Sequence, residues 1–315
     1  MVNQTSLSNQ ALDARQDTKF SGPLKRCRYP SLQMLMVLLL SGLVFILIGR
    51  VQAAESMRAL QTLHQPVPGG VAVIALGTHR SPPKVTYTGK PVMVVQDTTS
   101  GQWIALVGIP LSNTQPSQSI QVQTAAASRE IAFEVKPKQY REQRITLKNT
   151  RQVNPLPDDL ERIKRELEIQ NEAYRSFRAE SPSNLILDRP VQGKLSSPFG
   201  LKRYFNGEAR NPHSGLDFAA PTGTPVHAPA AGSITLVGDY FFNGKTVFID
   251  HGQGMVSMLC HLSAIDVKQG DRVVRGQLVG KVGATGRATG AHLHWNVSLN
   301  DARVDPAIFI GAFVP

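Results

Sequence analysis

The chain has 315 residues, 41% hydrophobic and 18% charged, which fits about two folded domains and excludes a disordered or low-complexity polymer. Its net charge is +11. Segment 1–53 carries six basic and two acidic side chains, a net +4, which leaves +7 for the rest. A basic body favours a polyanionic partner such as nucleic acid, anionic lipid or an acidic cell-wall polymer. The positive charges form no block and no DNA or RNA motif is present, so nucleic acid is not the expected partner.

Residues 1–24 are polar and read as unstructured. Lys25, Arg26 and Arg28 then precede an apolar run, 32–49, followed by RVQAAES. Basic residues, an apolar core and small residues at a cut site make a secretory signal, with cleavage expected after Ala53. The run is also just long enough to span a bilayer, so an uncleaved inner-membrane anchor is the alternative. Either way the basic flank stays inside and the remainder is exported. Cys27 and Cys260 then lie in different compartments, and no intramolecular disulfide is expected.

From about 66 to 150, seven short β-rich runs alternate with turn residues: VAVIALG, KVTYTG, PVMVVQD, QWIALVGI, SIQVQT, EIAFEV and RITL. This spacing predicts an immunoglobulin-like β-sandwich module over 54–150. His64 and His79 fall in its turns and read as solvated. The period then changes. Leu160, Ile163, Leu167, Tyr174 and Phe177 recur at helical spacing, and Pro157 with Asp158 and Asp159 suits a helix start. The reading is an amphipathic helix and linker over 151–193 whose apolar stripe is a packing face. It could also lie over a downstream groove.

Residues 194–315 hold six of the eight histidines among glycines and short apolar runs, an all-β pattern. His213 and Asp217 are separated by three residues including Gly215, a weak signal alone. In AHLHW, His292 and His294 project from the same face of a strand, about 7 Å apart. At that separation one can ligate a metal while the other acts on what the metal binds. His261, in MLCHLS, adds another. A catalytic zinc needs about three protein ligands from His, Asp or Glu. His213, Asp217 and one histidine of the HLH pair fill that quota. No HExxH offers a glutamate base, so histidine is the expected acid/base. His227 and His251 read as structural. Cys260 reads as a small core residue, on the argument that it faces away from its neighbour His261. Asn206 and Arg210 are candidates for a substrate groove.

The blocks SPFGLKRYFNGEARNPHSGLDFAAPTGTPVHAPAAG, VFIDHG, CHLS and GATGRATGAHLHW, in this order over about 120 residues, resemble the M23 (LytM/lysostaphin-type) peptidase domain. Residues 66–180 resemble the β-domain and helix that precede it in periplasmic proteins of Gram-negative bacteria. The resemblance implies a mainly β chain: signal or anchor helix (1–53), β-sandwich (54–150), connecting helix and linker (151–193) and all-β M23 domain (194–315). It implies one zinc ion held by His213, Asp217 and His294, with His261 and His292 as the catalytic pair. The implied partner is the stem peptide of peptidoglycan, and the implied bond is D-alanine to diaminopimelate. Many members carry a tyrosine where this chain has Leu259, which reads here as packing. The alternative is a non-catalytic regulator that activates cell-wall amidases; the complete ligand set argues against it. Nothing in the chain sets an oligomeric state.

Overall fold

The computed structural model describes residues 60–315, apart from 98–99, 147–150 and 152. The expected leader helix and Cys27 lie outside the described residues. Among those described, no helix is long and apolar enough to cross a membrane. The fold is mainly β.

The first eight strands are β1 (Val71–Gly77), β2 (Lys84–Tyr87), β3 (Lys90–Pro91), β4 (Met93–Gln96), β5 (Trp103–Gly108), β6 (Ser117–Gln123), β7 (Ser128–Glu134) and β8 (Glu142–Ile145). They arise where β-branched and aromatic residues alternate with polar ones between Gly/Pro turns. Two antiparallel sheets result, β1-β5-β4 and β3-β2-β6-β7. Ile74, Leu76, Val85, Tyr87, Val107, Ile109, Ile120 and Val122 form one buried cluster.

β8, which covers the start of the RITL run, joins neither of these sheets. It pairs in parallel with β10 (Lys202–Phe205), Ile145 opposite Phe205. Ile145 packs there with Val153 and Phe205. An extended strand satisfies its backbone wherever an edge is open, so the pattern alone could not choose its partner.

The helix α1 spans Pro157–Tyr174. Asp159 accepts from Leu156 N–H (3.1 Å) and pairs with Arg151 (2.6 Å), closing its first turn. The expected apolar stripe docks only in part. Leu160 and Leu167 are 53% and 48% exposed, and Phe177 is also exposed, whereas Ile163 and Tyr174 are buried. Glu166, Gln170 and Tyr174, one turn apart, make the contact. Phe241 N–H donates to Glu166 (2.7 Å), Asn243 to Gln170 (2.7 Å), and Tyr174 to Asn296 (2.8 Å). The wall that α1 meets presents backbone N–H groups and amides, so polar side chains answer it better than leucines.

The remaining strands are β9 (Lys194–Ser197), β10, β11 (Glu208–Ala209), β12 (Leu216–Ala219), β13 (Pro225–His227), β14 (Gly232–Tyr240), β15 (Gly244–Gly252), β16 (Met255–Ile265), β17 (Arg272–Val273), β18 (Leu278–Val282), β19 (His292–Leu299) and β20 (Ala302–Val304). One large sheet carries the order β17-β14-β15-β16-β19-β12-β9. Its central strands β15, β16 and β19 are almost wholly buried and read as apolar runs.

The β module and this sheet are locked together. Asn300 exchanges two hydrogen bonds with the Gly108 backbone (2.6 and 2.9 Å), and Gln253 accepts from Val94 N–H (2.8 Å). Leu63, Met93 and Leu106 share one core with Trp295, Leu299 and Phe309. A Cβ on Gly108 would meet backbone and side-chain atoms of Leu299 at 2.8 Å. Gly108→Ala is therefore expected to cost about 1–3 kcal/mol, read as a shifted midpoint in urea unfolding.

Candidate metal centre

Two strands and the loop before β12 bring the ligand-type residues together. Asp217 on β12 lies directly opposite His294 on β19, and Ala219 opposite His292. Opposed residues of an antiparallel pair share a face, so Asp217 and His294 meet. His294 Nδ1 lies 2.7 Å and His213 Nε2 2.9 Å from the same Asp217 oxygen, and the two nitrogens are 3.0 Å apart. All three residues are buried. Three donor atoms converging within hydrogen-bond distance of one another is a metal-sized arrangement of borderline ligands.

His213 Nδ1 donates to Pro198 O at 2.8 Å, which leaves Nε2 as the ligand atom. Gly215 is required by close approach. A Cβ there would meet Trp295 O at 2.3 Å and His294 Nε2 at 2.9 Å. This is the physical content of the His-x-Gly-x-Asp spacing.

His261 and His292 flank the cluster, their ring centroids 4.7 Å apart, with His261 6.1 Å from His294. His261 Nδ1 donates to Thr285 O (2.8 Å) and His292 Nδ1 to Gly290 O (2.8 Å). These carbonyls assign the same tautomer to both rings and leave each Nε2 as acceptor. His261 sits at φ 62°, a left-handed conformation for a non-glycine residue, pinned by its N–H to Asn243 O (2.9 Å).

That strained backbone changes the reading of Cys260. Cys260 lies opposite His294, on the same face, because alternation breaks at His261. The thiol is buried with Tyr174, Phe248, Val256 and Met258. Burial, reinforced by the Asp217 charge, pushes it well above its usual range, so it stays a neutral core group rather than a ligand.

Burial opposes the charge on Asp217, but the close imidazoles of His213 and His294 outweigh it and hold its carboxyl well below the usual range. Burial lowers His294 to about 4, and burial together with His292 and His294 lowers His261 to about 3. Both imidazoles are neutral at neutral pH.

Two side chains escaped the sequence reading. Arg203 Nη2 donates to the second Asp217 oxygen (3.0 Å), and its Nε donates to Gln143 on β8 (3.2 Å). Arg287 lines the cavities on both sides of the histidines, of about 270 and 820 Å³. Its place in the glycine-rich run between β18 and His292 was the available signal. Arg210 lines the larger cavity, and Asn206 lines neither. Leu259 is fully buried. His227 lines neither cavity, and His251 is buried between Ala231 O and Ser257 Oγ (both 2.9 Å). His64 Nδ1 accepts from Val73 N–H at 3.0 Å, so it serves as a turn partner.

The model of the peptidase family M23 matches residues 211–306, and that of the M23 N-terminal domain matches 64–138. A crystal structure of a peptidase M23 from Pseudomonas aeruginosa is 57% identical, with a TM-score of 0.70, and is aligned over 81% of this chain and 99% of its own. The chain belongs to peptidase family M23. Curated relatives of this M23 chain include the DD-carboxypeptidase/endopeptidase Mpg of Neisseria meningitidis, 42% identical over 37% of this chain and 27% of the relative. The peptidoglycan DD-endopeptidase ShyA of Vibrio cholerae is 37% identical over 41% of this chain and 30% of the relative. This chain thus spans less than a third of the length of these curated relatives. M23 peptidases are zinc metallopeptidases, and the His-Asp-His cluster fits one zinc ion.

Arg203→Met would leave one oxygen of the M23 carboxylate unpaired. It is expected to lower zinc affinity roughly 10–100-fold, measured by chelator competition, with little change in fold by circular dichroism.

Proposed function

We propose that this chain is a zinc-dependent endopeptidase that hydrolyses peptide cross-links of peptidoglycan, at the bond between D-alanine and diaminopimelate. The observation that carries the reading is the convergence of His213, Asp217 and His294 beside two further histidines whose Nδ1–H groups are both tied to carbonyls. The DD-endopeptidase activity named for the relatives supports the substrate class.

His213, Asp217 and His294 would hold the zinc, which supplies Lewis acidity to a water and to the scissile carbonyl when bound. His261, uncharged and fixed by Thr285 O, takes a proton from the attacking water at Nε2 and returns it to the departing amine. His292, its ring oriented by Gly290 O, faces the same space and positions the scissile group. Arg203 holds the Asp217 carboxylate in orientation from behind. With this cluster complete, a non-catalytic amidase-activating role has no observation in its favour.

The same proposal includes export to the periplasm, through segment 1–53 as a cleaved signal or an inner-membrane anchor at 32–49. It also includes an immunoglobulin-like character for the β module, and the domain boundaries 54–150, 151–193 and 194–315. α1 walls one side of the larger cavity with Leu167, Gln170 and Tyr174, which supports a role in shaping the groove.

The test is a digest of purified sacculi by the full chain, with muropeptides resolved by mass, beside a chelated sample. Loss of cross-linked dimers that chelation prevents is the expected result. Intact dimers in the presence of stoichiometric zinc would overturn the reading.

A further inference from the structure

The larger cavity, of about 820 Å³, is lined by amides as well as by the metal cluster. Leu167, Asn171 and Tyr174 of α1 line it, four and three residues apart and so on one face of the helix. Gln170, in the neighbouring row, lines it too. Asn211, in the loop that leads to His213, lines the same space.

Most of these amides are already engaged. Gln170 donates to Glu166 O (3.1 Å) and accepts from Asn243 (2.7 Å). Asn296 accepts from the Tyr174 hydroxyl (2.8 Å) and donates to Ser214 (3.4 Å). These bonds hold α1 against the sheet. Asn171 and Asn211 differ, because neither side-chain amide exchanges a hydrogen bond with another described residue. Asn171 is half-buried, and its place is set by Gln170 before it and Tyr174 after it. Its amide is therefore held at the cavity without being used by the fold.

An asparagine amide offers an acceptor oxygen and two N–H donors, the complement of a peptide group. A peptide that enters the cavity loses water from its own N–H and C=O groups, and each then needs a partner. A strand edge supplies such partners to an ordinary peptide. A stem peptide contains both L- and D-centres, and a D-centre does not hold the backbone angles of an L-strand. Its amides cannot follow a regular ladder, so separate side-chain amides suit them better. Arg203, Arg210 and Arg303 also line this cavity and, among the described residues, no aspartate or glutamate does. The carboxylates of a stem peptide would meet no like charge there.

We infer that Asn171 and Asn211 form a subsite that binds the backbone of one stem-peptide arm beside the scissile bond. This rests on the proposed peptidase reading and adds to it two substrate-binding residues outside the zinc and proton-transfer groups. Asn171 lies outside both matched family domains, so the subsite makes α1 a substrate-binding element as well as a wall.

The test measures kcat and KM on a purified cross-linked tetrapeptide dimer. The zinc-loaded full chain is compared with Asn171→Ala, Asn211→Ala and Asn171→Gln. Glu168→Ala is the control, since Glu168 is exposed on the same helix and does not line the cavity. Each asparagine-to-alanine variant is expected to raise KM about 3–10-fold with kcat within about twofold, the mark of lost hydrogen bonds made equally to ground and transition state. Asn171→Gln, which keeps the amide on a longer stem, should fall between Asn171→Ala and the wild-type chain. Glu168→Ala should match the wild type. The urea midpoint of Asn171→Ala should not fall, because alanine is the better helix former. An unchanged KM in both alanine variants would overturn the inference while leaving the peptidase intact. A loss in kcat at constant KM, or an equal rise in KM for Glu168→Ala, would do the same. If the wild-type chain with stoichiometric zinc leaves the dimer uncut, the peptidase reading falls and takes this inference with it.

Discussion

His261→Ala is expected to lower kcat for cross-link cleavage by about 10²–10⁴-fold while zinc content stays at one ion per chain. His294→Ala is expected to abolish activity and zinc retention together. The two outcomes separate because the two rings do different work. His294 Nδ1 is 2.7 Å from the Asp217 oxygen that also faces His213, so its loss opens the ligand set. His261 stands apart from that triangle, 6.1 Å between ring centroids from His294, and is tied to Thr285 O. Its removal costs a proton acceptor and leaves three ligands. Zinc measured by plasma emission beside a dimer-cleavage assay checks both. Zinc lost from His261→Ala, or activity retained by it, would refute the assigned role.

The largest effect on stability is expected at Tyr174. Its ring is buried against Phe248 in an edge-on contact, centroids 4.9 Å apart, and the Arg303 guanidinium lies 3.8 Å over it. Its hydroxyl donates to buried Asn296 at 2.8 Å. Tyr174→Ala removes the ring and leaves a cavity beside Met258 and Cys260, at a cost of about 3–5 kcal/mol. Tyr174→Phe keeps the ring and orphans the Asn296 oxygen, at a cost of about 1–3 kcal/mol. Urea midpoints order the three proteins. If Tyr174→Ala matched the wild-type midpoint, α1 would be a loosely laid segment. The expected result makes the helix part of the groove wall, so a chain cut after it would lose core as well as any cover.

Much of this was legible before any coordinates. SIQVQT gave the strand its alternation implied, because half-buried strands have a period of two, and the short apolar runs VAVIALG and QWIALVGI gave mostly buried strands. The HLH pair placed both rings on one face for the same reason, and His-x-Gly-x-Asp announced a close approach that only glycine tolerates. What the pattern could not carry were partnerships between distant segments. Gln143, Arg203 and Asp217 form one chain of hydrogen bonds across 74 residues of sequence. The face of α1 was legible only in part: Ile163 and Tyr174 of the stripe are buried, but the wall also offers polar groups that Glu166 and Gln170 answer. Cys260 is the core residue expected, but the argument for it failed, because the alternation rule assumes regular β backbone and His261 departs from it at φ 62°.

The sequence by itself determined the mainly β composition, the helix after the β module, the inventory of ligand-type side chains and the family to which they belong. These follow from local periodicity and from residue chemistry, which need no knowledge of distant contacts. The tertiary structure alone decided which strand β8 would join, which face of α1 would dock, that Arg203 would stand behind the Asp217 carboxylate, and that Arg287 would be sandwiched between Phe205 and Phe242. Each depends on which open edge, unpaired amide or ring the fold brings within a few ångströms. A hydrogen bond or a stacked cation is worth something only at that range.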